Sequence, residues 1–409
     1  MIVPVVPIKV VMITVWEDAD STRVRTGISS YSRSLVKYMM QIVKKLQLPL
    51  DLVVIAQEDR DQDQEHPRIV KGLSYESPIK TMHRLVRALL HEQPHVVHLQ
   101  FAYHLYGTVR NLIAIVLALT LVKLLRRVKI VITMHEVLPM KYLKNIEKMS
   151  RLKGTYVKIL LRLLPLHVFH RIVLALLNIL ADRFIIHEKF QLNVLTGEYG
   201  IDIGKIVHVG HGVEYREDLW GKVLQLDPTV GKGTARIVVF GFLAPYKGLH
   251  LLPKIVNSEV RQSSELVIAG GVHPRLFRDL NYRRWLTETL RVLKQNFRNM
   301  TWLRYVPNSE MPHVFENATL VLTLHETCFG ASGPEALALS YARPVVSACV
   351  EDGDVRKVQW LSRVITLLLS NPDFYRSWLL KLRDIARRRS WERVALQHLY
   401  TYLSLLAGK

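Results

Sequence analysis

The sequence predicts an α/β protein of two doubly wound domains, each a Rossmann-like parallel sheet between helices. Short apolar, β-branched runs alternate with helical segments from residues 8–16 onwards. The same alternation starts again at residues 236–241, after a polar segment. The length of 409 residues also favours two cores of roughly 200 residues each. Buried parallel strands joined by crossover helices account for these three observations together.

Composition limits the classes of partner. The formal net charge of +21 favours anionic partners, namely nucleic acid, an acidic membrane surface or phosphorylated substrates. The chain lacks a convincing signal peptide, and its longest uncharged apolar stretches, 111–122 and 172–181, fall short of the about 20 residues that span a bilayer. Its two cysteines, Cys328 and Cys349, form no disulfide framework. We expect them to be small buried side chains in a protein that belongs to a reducing compartment or is indifferent to redox conditions.

The first half supplies six predicted strands and three early helices. The strands are residues 8–16, 50–56, 95–100, 129–135, 181–187 and 205–209, and the helices are 28–46, 79–92 and 108–127. Gly27 precedes the first helix, where a glycine either allows a phosphate close to the backbone or simply makes a turn. His135 ends a strand, where ligands bind in such sheets, and is either a polar contact to a bound sugar or a structural histidine.

Two segments of the first half have alternative interpretations. Asp59, Asp61 and Asp63 alternate in a polar loop, which could hold a divalent metal bridging a diphosphate or could be a solvated acidic loop. Residues 141–180 combine many Lys and Arg with Leu, Ile and Val. That composition suits a helical region on an anionic membrane surface, and equally a helical pair packed on its own domain.

The second half repeats the pattern after a polar segment, 217–233, that we interpret as a linker. Strands are predicted at 236–241, 265–269, 301–305 and 318–325, and helices at 249–257, 281–296, 308–318, and from 355 to the end. The helix 308–318 has Asn308 or Ser309 as its predicted cap. The last helix begins after Ser390.

Residues 325–346 contain the strongest local signal. A buried strand leads into a small-residue turn and then into a helix that has Pro334 in its first turn. Ser332 or Gly333 is the predicted N-cap. Unpaired backbone N–H groups and the positive end of the helix dipole make this an anion site.

Short segments in a fixed order make the chain resemble the family-4 glycosyltransferases. They are Gly27, HVVHLQ, ITMHE, HVGHGVE, FGFLAPYKGL, LVIAGG, YVPNSEMPHVFENATLVLTLH, ETCFGASGPEALALSYARPVVSA and SWERVA. The resemblance implies a GT-B fold, in which two Rossmann-like domains face each other across a cleft. It implies an acceptor-side domain (1–208, with the basic region 141–180), a nucleotide-sugar donor domain (209–385) and a C-terminal helix (386–409) that returns to the N-terminal domain.

The resemblance also implies roles for individual residues. Glu326 would contact the transferred sugar, Lys247 would neutralise the donor diphosphate, and His135 would touch the sugar. The implied donor-binding residues are Gly27, Gly241, Phe329, Gly330, Ser332, Gly333 and Glu335. Glu335 would be the second acid of the family's pair, on the nucleoside ribose. Here the two acids are separated by eight residues rather than seven, and counting back from Pro344 places Leu337 at the second-acid position.

The expected function is transfer of a hexose, mannose or glucose, from a GDP- or UDP-sugar to a hydroxyl of a glycan or lipid-linked acceptor, with retention and without a metal or other cofactor. The expected location is cytoplasmic, or peripheral on the cytoplasmic membrane face. Alternatives are a nucleotide-sugar epimerase, another enzyme of the same fold, and a non-catalytic basic membrane- or nucleic-acid-binding protein. Nucleic acid is not an expected partner, because zinc spacing and aromatic RNA-binding signatures are missing.

Overall fold

The fold is described from a computed structural model of the chain. The structure describes residues 7–16, 27–57, 67–103, 105–144, 165–225, 234–274, 276–307, 309–351 and 354–407. Asp59, Asp61 and Asp63, residues 145–164 of the basic region 141–180 and the predicted cap Asn308 therefore lie outside the described residues.

Two parallel sheets organise the described part of the chain. The first has the order β3-β2-β1-β4-β5-β6-β7, and the second has the order β10-β9-β8-β11-β12. The strands of the first sheet are β1 (Ile8–Ile13), β2 (Leu50–Ala56), β3 (Arg68–Lys71), β4 (Val96–Phe101), β5 (Lys129–Met134), β6 (Arg183–Ile186) and β7 (Ile206–His208). Those of the second are β8 (Ala235–Phe240), β9 (Ser264–Ala269), β10 (Asn299–Trp302), β11 (Leu320–His325) and β12 (Val345–Cys349).

Helices connect these strands. They are α1 (Gly27–Lys45), α2 (Pro78–Glu92), α3 (Val109–Leu125), α4 (Leu166–Leu180), α5 (Lys189–Gly197), α6 (Glu217–Gln225), α7 (Leu252–Ile255), α8 (Ser258–Ser263), α9 (Leu280–Asn296), α10 (Met311–Glu316), α11 (Gly333–Ser340), α12 (Val355–Ser370), α13 (Pro372–Arg388) and α14 (Trp391–Ala407). Side-chain caps fix several helix starts, as where Ser77 accepts from the backbone of Lys80 and Thr108 accepts from that of Asn111.

The first compact unit comprises Met1–Gly212, Phe329–Ala331 and Trp391–Lys409. Its central strands are buried on both faces, and this is why their sequences are apolar without alternation. Helices α2 to α5 cover one face of the sheet, and α1 and α14 cover the other. The predicted return of the C-terminal helix to the N-terminal domain is confirmed, because α14 packs against α1.

The second compact unit comprises Val213–Cys328 and Ser332–Ser390. One hydrophobic core joins its five-stranded sheet to the helices around it. The predicted linker 217–233 is wrong in its first part, since α6 occupies Glu217–Gln225 and its Trp220 is fully buried in this core. Burial of the indole outweighs the polar character of the surrounding residues.

Two further elements were missed, and two further predictions are corrected. The short edge strand Arg68–Lys71 and the helix Lys189–Gly197 were not expected, because each is too short to give a clear periodic signal. The N-cap of α10 is Glu310 rather than Ser309. Cys328 and Cys349 are half-buried and form a disulfide across 5.8 Å between their Cα atoms, whereas we expected two separate buried thiols.

Candidate active site

In the second sheet, the direction in which successive strands are added reverses between β8 and β11. From β8 the chain proceeds outwards to β9 and β10, whereas β11 is followed on its other side by β12. Ligands of doubly wound sheets bind at such a switch point, beyond the carboxyl ends of the two strands. The loops that follow β8 and β11 carry Gly241 and Lys247, and Glu326, respectively. The topology therefore brings together the main catalytic candidates of this half of the chain.

Lys247 lies against the end of β11. Its Nζ is 3.1 Å from Nε2 of His325, and the side chain is half-buried. Burial lowers the pKa of Lys247 to about 8. Burial and the neighbouring ammonium lower the pKa of His325 to about 3, so His325 is neutral and accepts the hydrogen bond from Lys247. The lysine is thus held in place by a neutral partner, and no carboxylate in the described part of the chain forms an ion pair with it.

Glu326 is oriented by a histidine that the sequence analysis missed. Nε2 of His250 lies 2.8 Å from Oε1 of Glu326, and the Glu326 backbone N–H donates to the carbonyl of Tyr246. Nδ1 of His250 is buried and has no hydrogen-bond partner among the described residues. The only indication of His250 in the sequence was its position three residues after Lys247. Two short helical turns span this segment.

The helix α11 begins where the sequence analysis predicted a helix start. Ser332 is the N-cap, and its hydroxyl accepts from the backbone N–H of Glu335 at 3.3 Å. Gly333 is exposed, and a Cβ added there would meet no atom within 4 Å. Gly241 has φ +113°, in the region that favours glycine, and a Cβ there would lie 3.4 Å from the Pro334 ring. The turn after β8 therefore packs directly on the start of this helix.

Gly27 shares its setting with Gly333. Each is the first residue of a helix, α1 and α11 respectively, and neither has a positive φ. A Cβ would meet no atom within 4 Å at either position. Among the described residues, neither backbone conformation nor packing demands glycine at these two helix starts. The close approach of a ligand is a physical reason for glycine that remains.

Glu335 forms an ion pair within the second unit. Its Oε1 accepts from Nη1 of Arg389 at 2.7 Å, and both side chains are largely buried. Leu337, which occupies the second-acid position by the other count, packs on the hydrophobic core. The ion pair with Arg389 gives Glu335 a structural role whether or not it also contacts a ligand.

Phe329 and Gly330 group with the first unit, although they follow β11 in sequence. The Phe329 carbonyl accepts from the backbone N–H of Val137 at 2.7 Å, and its ring lies 4.5 Å from that of Tyr142. A Cβ on Gly330 would come within 1.8 Å of the His135 carbonyl oxygen. Gly330 is therefore required by this close backbone approach, which accounts for one of the predicted donor-binding glycines without a ligand.

His135 is held by a chain of buried hydrogen bonds. Its Nε2 donates to the side-chain carbonyl of Gln100 at 2.7 Å, and the amide of Gln100 donates to Nε2 of His98 at 3.2 Å. In this orientation of the Gln100 amide, His98 carries its proton on Nδ1, which lies 2.6 Å from the hydroxyl of Tyr402 on α14, and its Nε2 also lies 2.7 Å from the hydroxyl of Thr133. This order leaves Nδ1 of His135 as a hydrogen-bond acceptor. Burial lowers the pKa of His135 to about 3, so its ring is neutral.

Tyr31 connects His135 to the first helix. It lies in the second turn of α1, after Gly27, and its ring packs edge-on against that of His135 at 4.9 Å. The rings of His187, His211 and Trp391 also surround it. The first unit thus places the second turn of α1 beside His135. In the described part of the chain, no group of three His, Cys, Asp or Glu side chains is placed to hold a metal ion.

Comparison with known proteins gives the fold. No protein-family model and no curated protein sequence matches the chain. A glycosyltransferase from Rickettsia africae aligns with 98% of this chain and all of its own, at 12% identity and a TM-score of 0.63. The chain has the GT-B fold.

Two more solved structures extend this comparison. Sucrose-phosphate synthase from Thermosynechococcus elongatus covers 98% of this chain and all of its own, at 13% identity and a TM-score of 0.66. HepE from Anabaena, in complex with UDP-glucose, covers 97% of this chain and 99% of its own, at 14% identity and a TM-score of 0.62. At such identities the likeness establishes the fold and leaves the substrate open.

Proposed function

We propose that the protein is a glycosyltransferase that uses a nucleotide-diphosphate sugar. One observation carries the proposal: a helix start with an exposed glycine that the fold does not require lies at the switch point of the sheet that also positions Lys247 and Glu326. The structurally similar HepE protein is in complex with UDP-glucose. A diphosphate matches the positive helix end and the lysine in charge.

The proposed chemistry is electrostatic. When the bond from the anomeric carbon to the diphosphate breaks, negative charge develops on the phosphate oxygens. Lys247 and the backbone N–H groups at the start of α11 stabilise that charge without reorganising. Glu326, oriented by His250, contacts the transferred sugar, and the acceptor nitrogen of His135 receives a hydrogen bond from a sugar hydroxyl. The acceptor hydroxyl attacks from the side that the diphosphate leaves, and its proton passes to the departing phosphate, so the configuration is retained.

The finer features of the proposal are those implied by the resemblance to family 4. The transferred sugar is a hexose, with mannose or glucose on GDP or UDP as the first donors to test. The acceptor is a hydroxyl of a glycan or of a lipid-linked molecule, and the transfer requires no metal ion. The protein acts in the cytoplasm or on the cytoplasmic face of a membrane. The Cys328–Cys349 disulfide weighs against this location, because disulfides are rare in the cytoplasm. Thiol labelling of freshly lysed cells would test it.

Matched glycine variants test the proposal. Gly333→Ala places a methyl group at the proposed diphosphate position, whereas Gly221→Ala adds one in α6, where a Cβ also meets no atom within 4 Å. Both variants should be as stable as the wild type or slightly more stable, by up to about 1 kcal/mol. In a thermal-shift screen of nucleotide sugars, we expect Gly333→Ala to bind its donor at least about tenfold more weakly. Gly221→Ala should bind it normally.

Three results would count against the proposal. One is that no nucleotide sugar shifts the melting temperature of the wild type. Another is that Gly333→Ala and Gly221→Ala bind donor equally well. A third is turnover of the nucleotide sugar without any acceptor and without hydrolysis, which would favour the alternative of an epimerase.

A further inference from the structure

Two helices of the first unit expose large apolar side chains on their outward sides. The exposed residues include Leu117, Leu121 and Leu124 of α3, and Ile172, Leu176 and Ile179 of α4, which we call the apolar face. Leu124 and Ile179 are 80% and 75% exposed. The spacing of three or four residues within each set puts its members on one side of the helix.

The two helices form one continuous surface. They connect β4 to β5 and β5 to β6, which are neighbours in the sheet, so right-handed crossovers place them side by side on the same face. Their inward sides share one core, and the ammonium of Lys123 donates to the carbonyl at the end of α4 and pairs with Asp182 at 3.1 Å. The outward sides are therefore adjacent as well. Contiguous exposed apolar surface of this kind marks an interaction site in a folded protein.

The charges around the apolar face identify the partner. Arg110, Arg126 and Arg127 are exposed at the ends of α3 or next to them, and Arg171 is exposed in the second turn of α4. The structure describes every residue of α3 and α4, and none of them is Asp or Glu. Leucine and isoleucine that share their helices with basic but no acidic side chains match a surface that is apolar inside and anionic outside. A lipid bilayer with anionic head groups has this layering, with the acyl boundary beneath the phosphates.

We propose that the apolar face docks the first unit on an anionic lipid bilayer. The leucine and isoleucine side chains enter the boundary between head groups and acyl chains, while the arginines bind the phosphates. Helices that lie in this plane insert by about 5–10 Å. None of the helices in the described part of the chain is long and apolar enough to cross a membrane, so the attachment is peripheral. The proposal extends the expectation for residues 141–180 to α3 and does not depend on the transfer chemistry.

Vesicle flotation of the full chain tests the proposal. The probe is a vesicle of phosphatidylcholine with phosphatidylglycerol, compared with a vesicle of phosphatidylcholine alone. The test variant is Leu117→Gln, Leu124→Gln and Ile179→Gln combined. The matched control is Leu46→Gln, Ile203→Gln and Leu280→Gln, because these residues are exposed to a similar degree elsewhere on the chain. All six positions are at least half exposed, so both variants should fold, which circular dichroism and the melting temperature verify.

The expected results are specific to the apolar face. The wild type and the control variant should float with anionic vesicles and not with neutral ones. The test variant should partition on the order of tenfold less, because three apolar side chains no longer leave water on binding. Replacing Arg126, Arg127 and Arg171 by Gln should weaken binding further at low salt and have little effect at high salt, where wild-type binding is already screened.

Two outcomes would overturn the inference. Equal flotation of the test and control variants would show that another part of the chain holds the protein on the vesicle. A wild-type dimer in sedimentation, converted to a monomer by the test variant while neither protein floats, would show that the face is covered by a second copy of the chain.

Discussion

Replacing Lys247 by Met should separate donor binding from stability. Methionine preserves an unbranched apolar chain of similar length and removes the charge. Lys247 is half-buried beside His325, and its pKa falls from 10.5 to about 8 on folding because burial disfavours the charged form. At about 1.4 kcal/mol per pKa unit, holding this lysine charged costs the folded protein about 3 kcal/mol.

Part of that cost is offset in the wild type. The hydrogen bond from Lys247 to His325 contributes about 1–2 kcal/mol, and the variant loses it. The net expectation at pH 7 is that Lys247→Met is more stable by about 1–2 kcal/mol. For a unit of this size, that corresponds to a melting temperature higher by about 2–8 °C. The same variant should bind the nucleotide sugar about 10- to 100-fold more weakly, because a charge-assisted contact to the diphosphate is gone.

The free-energy cost of burying the charged Lys247 depends on pH. The folded pKa lies below the unfolded value, so the unfolded chain holds the proton more tightly and the cost is present in full below about pH 8. The cost declines as the pH rises from about 8 to 10.5, where both states become neutral. The stability advantage of Lys247→Met should therefore shrink across that window. Donor affinity of the wild type should also fall as the pH rises above about 8, with allowance for stabilisation of the ammonium by bound diphosphate.

The assay combines thermal unfolding from pH 7 to 10 with titration of the nucleotide sugar identified by the screen. Lys254→Met is the control, because Lys254 is an exposed lysine in the neighbouring helix α7. It should change neither stability nor donor affinity appreciably. A Lys247→Met variant that melts below the wild type at pH 7 would refute the burial argument. Unchanged donor affinity in that variant would refute the placement of the diphosphate.

Two further predictions concern the first unit. His170 and His398 have their pKa lowered to about 4 by burial, so the unfolded chain alone gains protons below about pH 6.5 and stability falls towards pH 4. Urea unfolding should show that the free energy of unfolding falls by up to about 2 kcal/mol per histidine between neutral pH and pH 5. The fall should be smaller in His398→Gln than in the wild type. An identical fall in the two proteins would contradict this prediction. Gln100→Leu should lower turnover about tenfold with donor affinity unchanged, because His135 loses the acceptor that orients it. Gln100→Glu retains an acceptor oxygen and should lose less turnover. Equal losses of turnover in the two variants would argue that Gln100 does not act by orienting His135.

The sequence predicted the fold because the evidence for it is local. Apolar runs of strand length and amphipathic helices recur in an order that only a parallel α/β architecture satisfies. The cap at Ser332 was also readable, since a hydroxyl followed by a helix-forming run satisfies backbone N–H groups within four residues. Helix and strand boundaries were less accurate where the elements are short, as at Arg68–Lys71, because few residues contribute to the pattern.

The side-chain partners in the candidate site were not readable in the same way. Tyr402 and His98 are 304 positions apart, and Glu335 and Arg389 are 54 apart, so no spacing rule connects them. The pairing of Cys328 with Cys349 was missed although both were noticed, because their distance depends on how β11 and β12 lie side by side. The role of His250 needed the loop after β8 to be folded against Glu326.

By itself, therefore, the sequence determined the two doubly wound sheets, the ends of the strands that carry Lys247, Glu326 and His135, and the positive helix start at Ser332. These features depend on residues close together in the chain. Only the tertiary structure decided the protonation state of the buried lysine and histidines, the tautomer of His135 and the partner of Glu335. Those properties arise from burial and from contacts between distant segments, and neither exists until the sheets and helices have packed.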